Sequence, residues 1–211
     1  MLGGIGVRHI KIIGLCGRSG SGKGYVSKLF FRRGIPSVDT DAVYRELMSG
    51  DREAPSECLA EVSREFGEEV IAPDGSLDRC ALADIVFAPG AQNRLHTLDR
   101  ITHKYILAEC LRRITEYEKR GIKTVILDAP LLFESGFDTQ CDVTVFVSAP
   151  EEVCISRICE RDGISPCKAE QRLASQMSRE ELRRLCDEEI ENGDGCDPDA
   201  QVERICEKYG L

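Results

Sequence analysis

The run Gly17-Arg18-Ser19-Gly20-Ser21-Gly22-Lys23-Gly24 is the part of this sequence best suited to chemistry on a phosphate. Glycines at close intervals let consecutive backbone N–H groups turn toward phosphate oxygens, and a helix starting here adds its positive end. Lys23 supplies a mobile point charge able to reach the β- and γ-phosphates of a nucleotide. Gly17 to Tyr25 is therefore the candidate nucleotide cradle. The bland alternative is a flexible turn with a solvent-facing lysine, but a strand expected before the loop and a helix expected after it favour the cradle. Loops of this type usually end in Ser or Thr, whose hydroxyl helps hold Mg²⁺. Here the position is Gly24. Mg²⁺ commonly keeps several waters, so a water can stand in for the missing side chain.

Carboxylates form the second group. Asp39 and Asp41 follow a short β-rich run, and Asp128 ends another. Open α/β sheets bind ligands at the carboxyl ends of their strands. Asp41 is thus a candidate to orient, and to deprotonate, an acceptor hydroxyl. Asp39 and Asp128 are candidate Mg²⁺ contacts. Position alone leaves Asp41 divided between that role and an N-cap for the helix beginning near Thr40. Asp39 reads equally well as a simple strand end. Arg157 and Arg161 stand four apart on an expected helix and share a face, either as a solvated pair with Glu160 and Asp162 or as part of a lid over phosphates. His103, among apolar helical positions, reads as a packing histidine.

The elements that must position these groups alternate between short β-rich runs and helical stretches, the pattern of a parallel sheet covered by helices. Four strands are expected: His9–Leu15, Ile35–Asp39, Lys123–Ala129 and Asp142–Ser148. The last two are near-continuous apolar runs, as befits strands buried on both faces. A helix is expected over Lys23–Arg33, stopped by Gly34. Between about Asp41 and Gly121 the text is almost wholly helical, with Leu95, Leu98, Ile101, Ile106, Leu111 and Ile114 recurring at near-helical spacing. That stretch is too long for a simple crossover and reads as a helical insertion. Ser165-Pro166 and Asp197-Pro198 each look like an N-cap followed by proline at the first helical position.

Composition narrows the function classes. The chain has 211 residues, enough for one α/β domain with an insertion. Its net charge of −9 argues against a general nucleic-acid binder, and a polyanionic ligand would have to be held by local cations and amides. No run approaches the roughly 20 apolar residues that span a membrane. The first residues lack a basic segment followed by a long apolar one, so no secretory signal is expected. Eleven cysteines, with no pair at CxxC spacing, are expected as reduced and mostly buried thiols rather than metal ligands or disulfides. Nothing in the sequence speaks for a particular oligomeric state.

From Ile12 to Glu207 the chain resembles the dephospho-coenzyme A kinase family. The resemblance is carried by Gly14-Leu-Cys-Gly-Arg-Ser-Gly-Ser-Gly-Lys23, by Asp39-Thr-Asp41-Ala-Val-Tyr-Arg45, by Leu77-Asp-Arg79 through Phe87, and by Pro130-Leu-Leu-Phe-Glu134, with Arg161-Asp162, Gln176 and Asn192 as later matches. The chain departs from the family's pattern at Gly24, at His103-Lys104 where His-Pro is usual, and at Cys16 and Arg18, which replace smaller residues. The resemblance implies a P-loop NTPase-type α/β core (about 8–40, 122–150 and 188–209), a helical substrate-binding insertion (about 41–121) and a lid (about 151–187). It implies ATP and Mg²⁺ as cofactors and a small-molecule partner, dephospho-coenzyme A, phosphorylated on its ribose 3′-hydroxyl in the cytoplasm. By the same resemblance Lys23, Asp41 and Arg161 are catalytic. Arg157 and Asn192 join residues 17–25 at the nucleotide, and Arg45, Arg79, His103 and Glu134 join Asp41 at the acceptor. Two rival readings are another small-molecule P-loop kinase and a non-catalytic nucleotide-binding module.

Overall fold

In the computed structural model the described residues are 10–50 and 56–211, so the opening segment 1–9, and His9 as the first residue of a strand, lie outside them. Five strands form one sheet among the described residues, in the order β2-β3-β1-β4-β5. They are β1 (Lys11–Gly17), β2 (Ser37–Asp39), β3 (Thr124–Asp128), β4 (Val143–Ser148) and β5 (Glu188–Glu191). β1 runs parallel to both β3 and β4, and β4 runs parallel to β5. Every residue of β3 and β4 is buried, which is why those strands read as unbroken apolar runs.

β5 is an addition to the four strands expected from the sequence. Only Ile190 of its four residues is apolar and buried. It lies at the sheet's edge, where charged side chains can stay in water and discourage further pairing. Arg179, Arg183 and Lys208 take up its glutamates.

The core lies between this sheet and the helices α1 (Lys23–Arg32) and α9 (Pro198–Tyr209). Leu15, Ile126, Val145 and Ile190 from the strands meet Val26, Leu29, Phe30, Val202 and Ile205 from those helices. Each such side chain contributes about 1.5–3 kcal/mol on leaving water. A smaller cluster joins α6 (Glu151–Asp162) to α7 (Pro166–Ala174) through Cys154, Ile158, Ala169 and Leu173. Ser165 and Asp197 cap α7 and α9 ahead of their prolines, as the sequence suggested. α8 (Arg179–Leu185) starts with a capping box between Ser178 and Glu181.

The chain falls into two compact units, one ending at Val38 and resuming at Ile114, the other Asp39–Arg113. The second holds α2 (Thr40–Leu47), α3 (Glu57–Phe66), α4 (Arg79–Val86) and most of α5 (Gln92–Lys119). The buried stripe of α5 is Ile101, Ile106, Cys110 and Ile114, while Leu95, Leu98 and Leu111 are only partly covered. α2 is capped by Asp39, whose Oδ1 accepts from the backbone N–H groups of Asp41 (2.8 Å) and Ala42 (3.1 Å). This corrects the N-cap reading of Asp41. The cap belongs two residues earlier, because the strand ends at Asp39 and the helix begins directly.

Within this unit Glu109 accepts from Arg112 (2.7 and 2.8 Å) and from Arg113 (2.8 Å), and Arg113 also pairs with Glu46. The hydrogen bonds from Arg112 first, then Arg113, pull the Glu109 carboxyl from its ordinary 4.5 down to about 2, against the opposing effect of burial. A lowered folded-state value means the stabilisation is complete above about pH 4.5 and fades as pH falls toward 2. Denaturant midpoints measured across that window should therefore show wild type losing its advantage over Glu109→Gln as the solution becomes more acidic. A gap independent of pH would show that the arginines do not hold this carboxylate.

Candidate nucleotide site

The loop expected to cradle phosphate joins β1 to α1, and the sheet register decides what stands beside it. Leu15 of β1 is the Cα partner of Asp128, and Ala129 donates its N–H to the Leu15 carbonyl at 3.0 Å. The end of β3 therefore lies next to the point where β1 enters the loop. There the Lys23 Nζ forms a salt bridge with Asp128 Oδ1, and both side chains are largely covered, at 18% and 10% exposure. A lysine at the first position of α1 and a carboxylate at the end of the neighbouring strand are thus brought together.

The outer face of the loop is tied down by residues distant in sequence. Arg157 on α6 donates from Nη1 to the carbonyls of Gly20 (3.2 Å) and Ser21 (3.4 Å), and from Nη2 to the carbonyl of Asn192 (3.1 Å). Asn192 donates its side-chain amide to the Ser21 carbonyl at 2.8 Å. Arg18 donates to the Leu173 carbonyl at 2.8 Å and lies 3.4 Å from Glu151. Gln176 contacts Ser19. The Ser21 hydroxyl is buried without a hydrogen-bond partner among the described residues. Gly22 has φ of +87°, and a Cβ there would stand 2.0 Å from the Asn192 amide. Only glycine fits that turn. At Gly24 an added Cβ would meet nothing within 4 Å.

Arg161 is placed differently from Arg157. It is 60% exposed and makes a two-pronged contact with Asp162, which also pairs with Arg172. These arginines, Arg161 first, hold the Asp162 carboxyl well below the usual carboxylate range. The ordinary expectation of a solvated pair therefore describes Arg161 but not Arg157.

The acceptor-side candidates of the second unit lie on α2, α4 and α5. Asp41 and Arg45 are both exposed and share a face of α2, whose other face buries Thr40, Val43 and Leu47. Arg79 is the exposed first residue of α4. It lies near enough to Tyr44 to oppose burial, which raises that phenol. His103 is half-buried on α5. In the first unit, Glu134 is exposed in the turns that follow β3. Its charge helps raise the buried Cys16 thiol, an effect due first to Cys186 at 3.5 Å and then to burial, with Lys23 opposing it.

Oxygen donors suit Mg²⁺, and Asp128 supplies one beside Lys23. Both cap bonds of Asp39 use its Oδ1. Among the described residues no three His, Cys, Asp or Glu side chains gather as a metal group. Within the first unit, Asp128 is a donor suited to an ion that otherwise keeps waters and phosphate oxygens. All eleven cysteines are free, but the expectation that most are buried needs correction: only Cys16, Cys58, Cys110 and Cys154 are. Several others lie on exposed helix faces or loops. No helix among the described residues is long and apolar enough to cross a membrane.

Comparison with known proteins bears on the same region and on the whole chain. Residues 11–209 match the family model described as dephospho-CoA kinase. A dephospho-CoA kinase from Symbiobacterium thermophilum is 41% identical over 196 residues, covering 92% of this chain and 79% of the relative. A solved structure from Thermus thermophilus shares 31% identity with a TM-score of 0.75, covering 97% of this chain and 99% of that one. A shikimate kinase from Bacteroides thetaiotaomicron, 17% identical with a TM-score of 0.53, covers 95% of this chain and 99% of its own, and shares the fold.

The two glycines make opposite predictions. Gly22→Ala should abolish ATP binding in calorimetry, because its φ and the Asn192 amide leave no room for a methyl group. Gly24→Ala should keep the fold and raise helix stability by about 0.5–1 kcal/mol. A Gly22→Ala protein with normal ATP affinity would show that the loop does not need its observed shape.

Proposed function

Since the chain belongs to the dephospho-CoA kinase family, we propose how its residues move the γ-phosphoryl group of ATP to the ribose 3′-hydroxyl of dephospho-coenzyme A. The chain is a phosphotransferase of coenzyme A biosynthesis, with a small molecule as its acceptor. One observation carries the residue-level reading: a lysine at the start of α1, paired with the carboxylate ending β3, beside a glycine loop gripped from outside.

Phosphoryl transfer needs placement and charge neutralisation more than covalent chemistry by the protein. In our reading residues 17–25 form the triphosphate cradle, Asn192 borders the adenine, and Lys23 exchanges part of its contact with Asp128 for the β- and γ-oxygens. Arg157 keeps the loop's shape. Arg161 exchanges Asp162 for the transferring group. Asp41 accepts the hydrogen bond of the acceptor hydroxyl and takes its proton as the oxygen–phosphorus bond forms and ADP leaves. Arg45 and Arg79 hold the acceptor's own phosphates, with His103 and Glu134 at its edges. Asp128 and Asp39 are the residues that would hold Mg²⁺, partly through water, and the ion would supply neutralisation of phosphate charge. The same reading puts the enzyme in the cytoplasm, where free thiols stay reduced.

Purified protein should convert Mg-ATP to ADP with dephospho-coenzyme A, and not with nucleosides or other sugar alcohols. ADP formed only with another acceptor would overturn the assignment, and ATP bound without turnover would favour a non-catalytic module. In the same assay Arg161→Ala should lower kcat on the order of 10³-fold. Near-normal turnover would remove Arg161 from the mechanism.

A further inference from the structure

Ser19 sits in the middle of the glycine loop, where a backbone N–H would ordinarily be counted among the phosphate donors. That N–H instead donates to Gln176 Oε1 at 3.0 Å, and Gln176 Nε2 donates to the Ser19 hydroxyl at 3.3 Å. One amide therefore meets both polar groups of one loop residue. Two bonds to a rigid planar group fix orientation as well as distance, which a single bond cannot do.

Gln176 is itself well placed to act as a fixed point. It follows Ser175, the C-cap of α7, and its own N–H donates to the Leu173 carbonyl at 3.2 Å. Leu173 is 1% exposed and belongs to the cluster that joins α6 to α7. The same Leu173 carbonyl accepts from Arg18 at 2.8 Å, a cation suited to the negative end of a helix. Residues 18 and 19 of the loop are thus held by the last turn of α7, just as residues 20 and 21 are held by Arg157 and Asn192.

We propose that Gln176 is a positioning residue for ATP: by holding Ser19 it shapes the phosphate loop, without touching the nucleotide or the acceptor. The inference rests on the loop's reading as the triphosphate site. Ser19 then serves the site through rigidity, and the amides that face phosphate are those of its neighbours. Helix α7 becomes the mount on which the loop's first half is set.

The test is steady-state kinetics joined to calorimetric ATP binding for Gln176→Met, Ser19→Ala and the double variant. Methionine keeps the volume of glutamine and removes both hydrogen bonds. Losing two neutral hydrogen bonds predicts a rise of about tenfold in the KM and Kd for ATP. The KM for dephospho-coenzyme A should stay unchanged, and the melting temperature should fall by no more than about 5 °C. Ser19→Ala, which keeps the backbone bond, should give a smaller rise, and the double variant should match Gln176→Met alone. An unchanged or tighter ATP affinity in Gln176→Met would overturn the proposal, as would an equal rise in both KM values. So would single-variant effects that multiply in the double variant. If Gln176→Met melts early, Ser19→Ala decides alone, since a normal ATP KM there overturns the role of the hydroxyl contact. Wild type failing to bind ATP would remove the loop reading itself, a result distinct from any of these.

Discussion

A charged nucleotide must enter a protein whose net charge is −9, so the local field at the loop has to be built and held against the global one. The Lys23–Asp128 pair fixes where the cation of that field stands. A lysine left alone at the rim of an acidic protein would wander among surface carboxylates. Here it is fixed at the start of α1 by a partner whose place follows from the register of β3 on β1. Removing one partner from a covered ion pair leaves the other charge uncompensated, which costs about 3–5 kcal/mol when burial is deep. Phosphate oxygens can replace the carboxylate at little cost, because they offer the same charge and the same kind of acceptor.

That pair would be useless on a loop without shape. A glycine-rich turn has little conformational preference of its own, so its form has to be imposed from outside. The structure does so with side chains from α6, from the end of α7 and from the segment after β5. The contacts from Arg157 and Asn192 are to loop carbonyls, the groups that a phosphate cradle must turn away from its ligand. The arrangement explains why Arg157, rather than Arg161, is drawn inward: it neutralises no carboxylate among the described ion pairs and satisfies three carbonyls instead.

How much of this the sequence disclosed depends on whether a residue's role is local. β1, β3 and β4 announced themselves because strands buried on both faces must be apolar throughout. The glycine loop did so because its conformation demands particular residues at particular spacings. β5 was silent, since Glu188, Glu189 and Glu191 obey the needs of an edge and not those of a core. Gln176 gave no chemical signal of its own, because its partner lies more than 150 residues away and an amide in a loop is commonplace. Arg157 and Arg161 are equivalent by helical spacing, and only tertiary contacts tell them apart. The cap of α2 falls on Asp39 rather than on the alternative Asp41, two positions that differ by no more than the error of a helix boundary.

The identity of that cap bears on what Asp41 can do. Asp39 Oδ1 accepts the N–H of Asp41, so the backbone at position 41 is fixed while its side chain stays exposed on the face shared with Arg45. Had Asp41 been the cap, its carboxylate would have been folded back onto the helix and lost to any ligand. The two acidic residues therefore divide the work: the first closes the helix, and the second is left free by that closure.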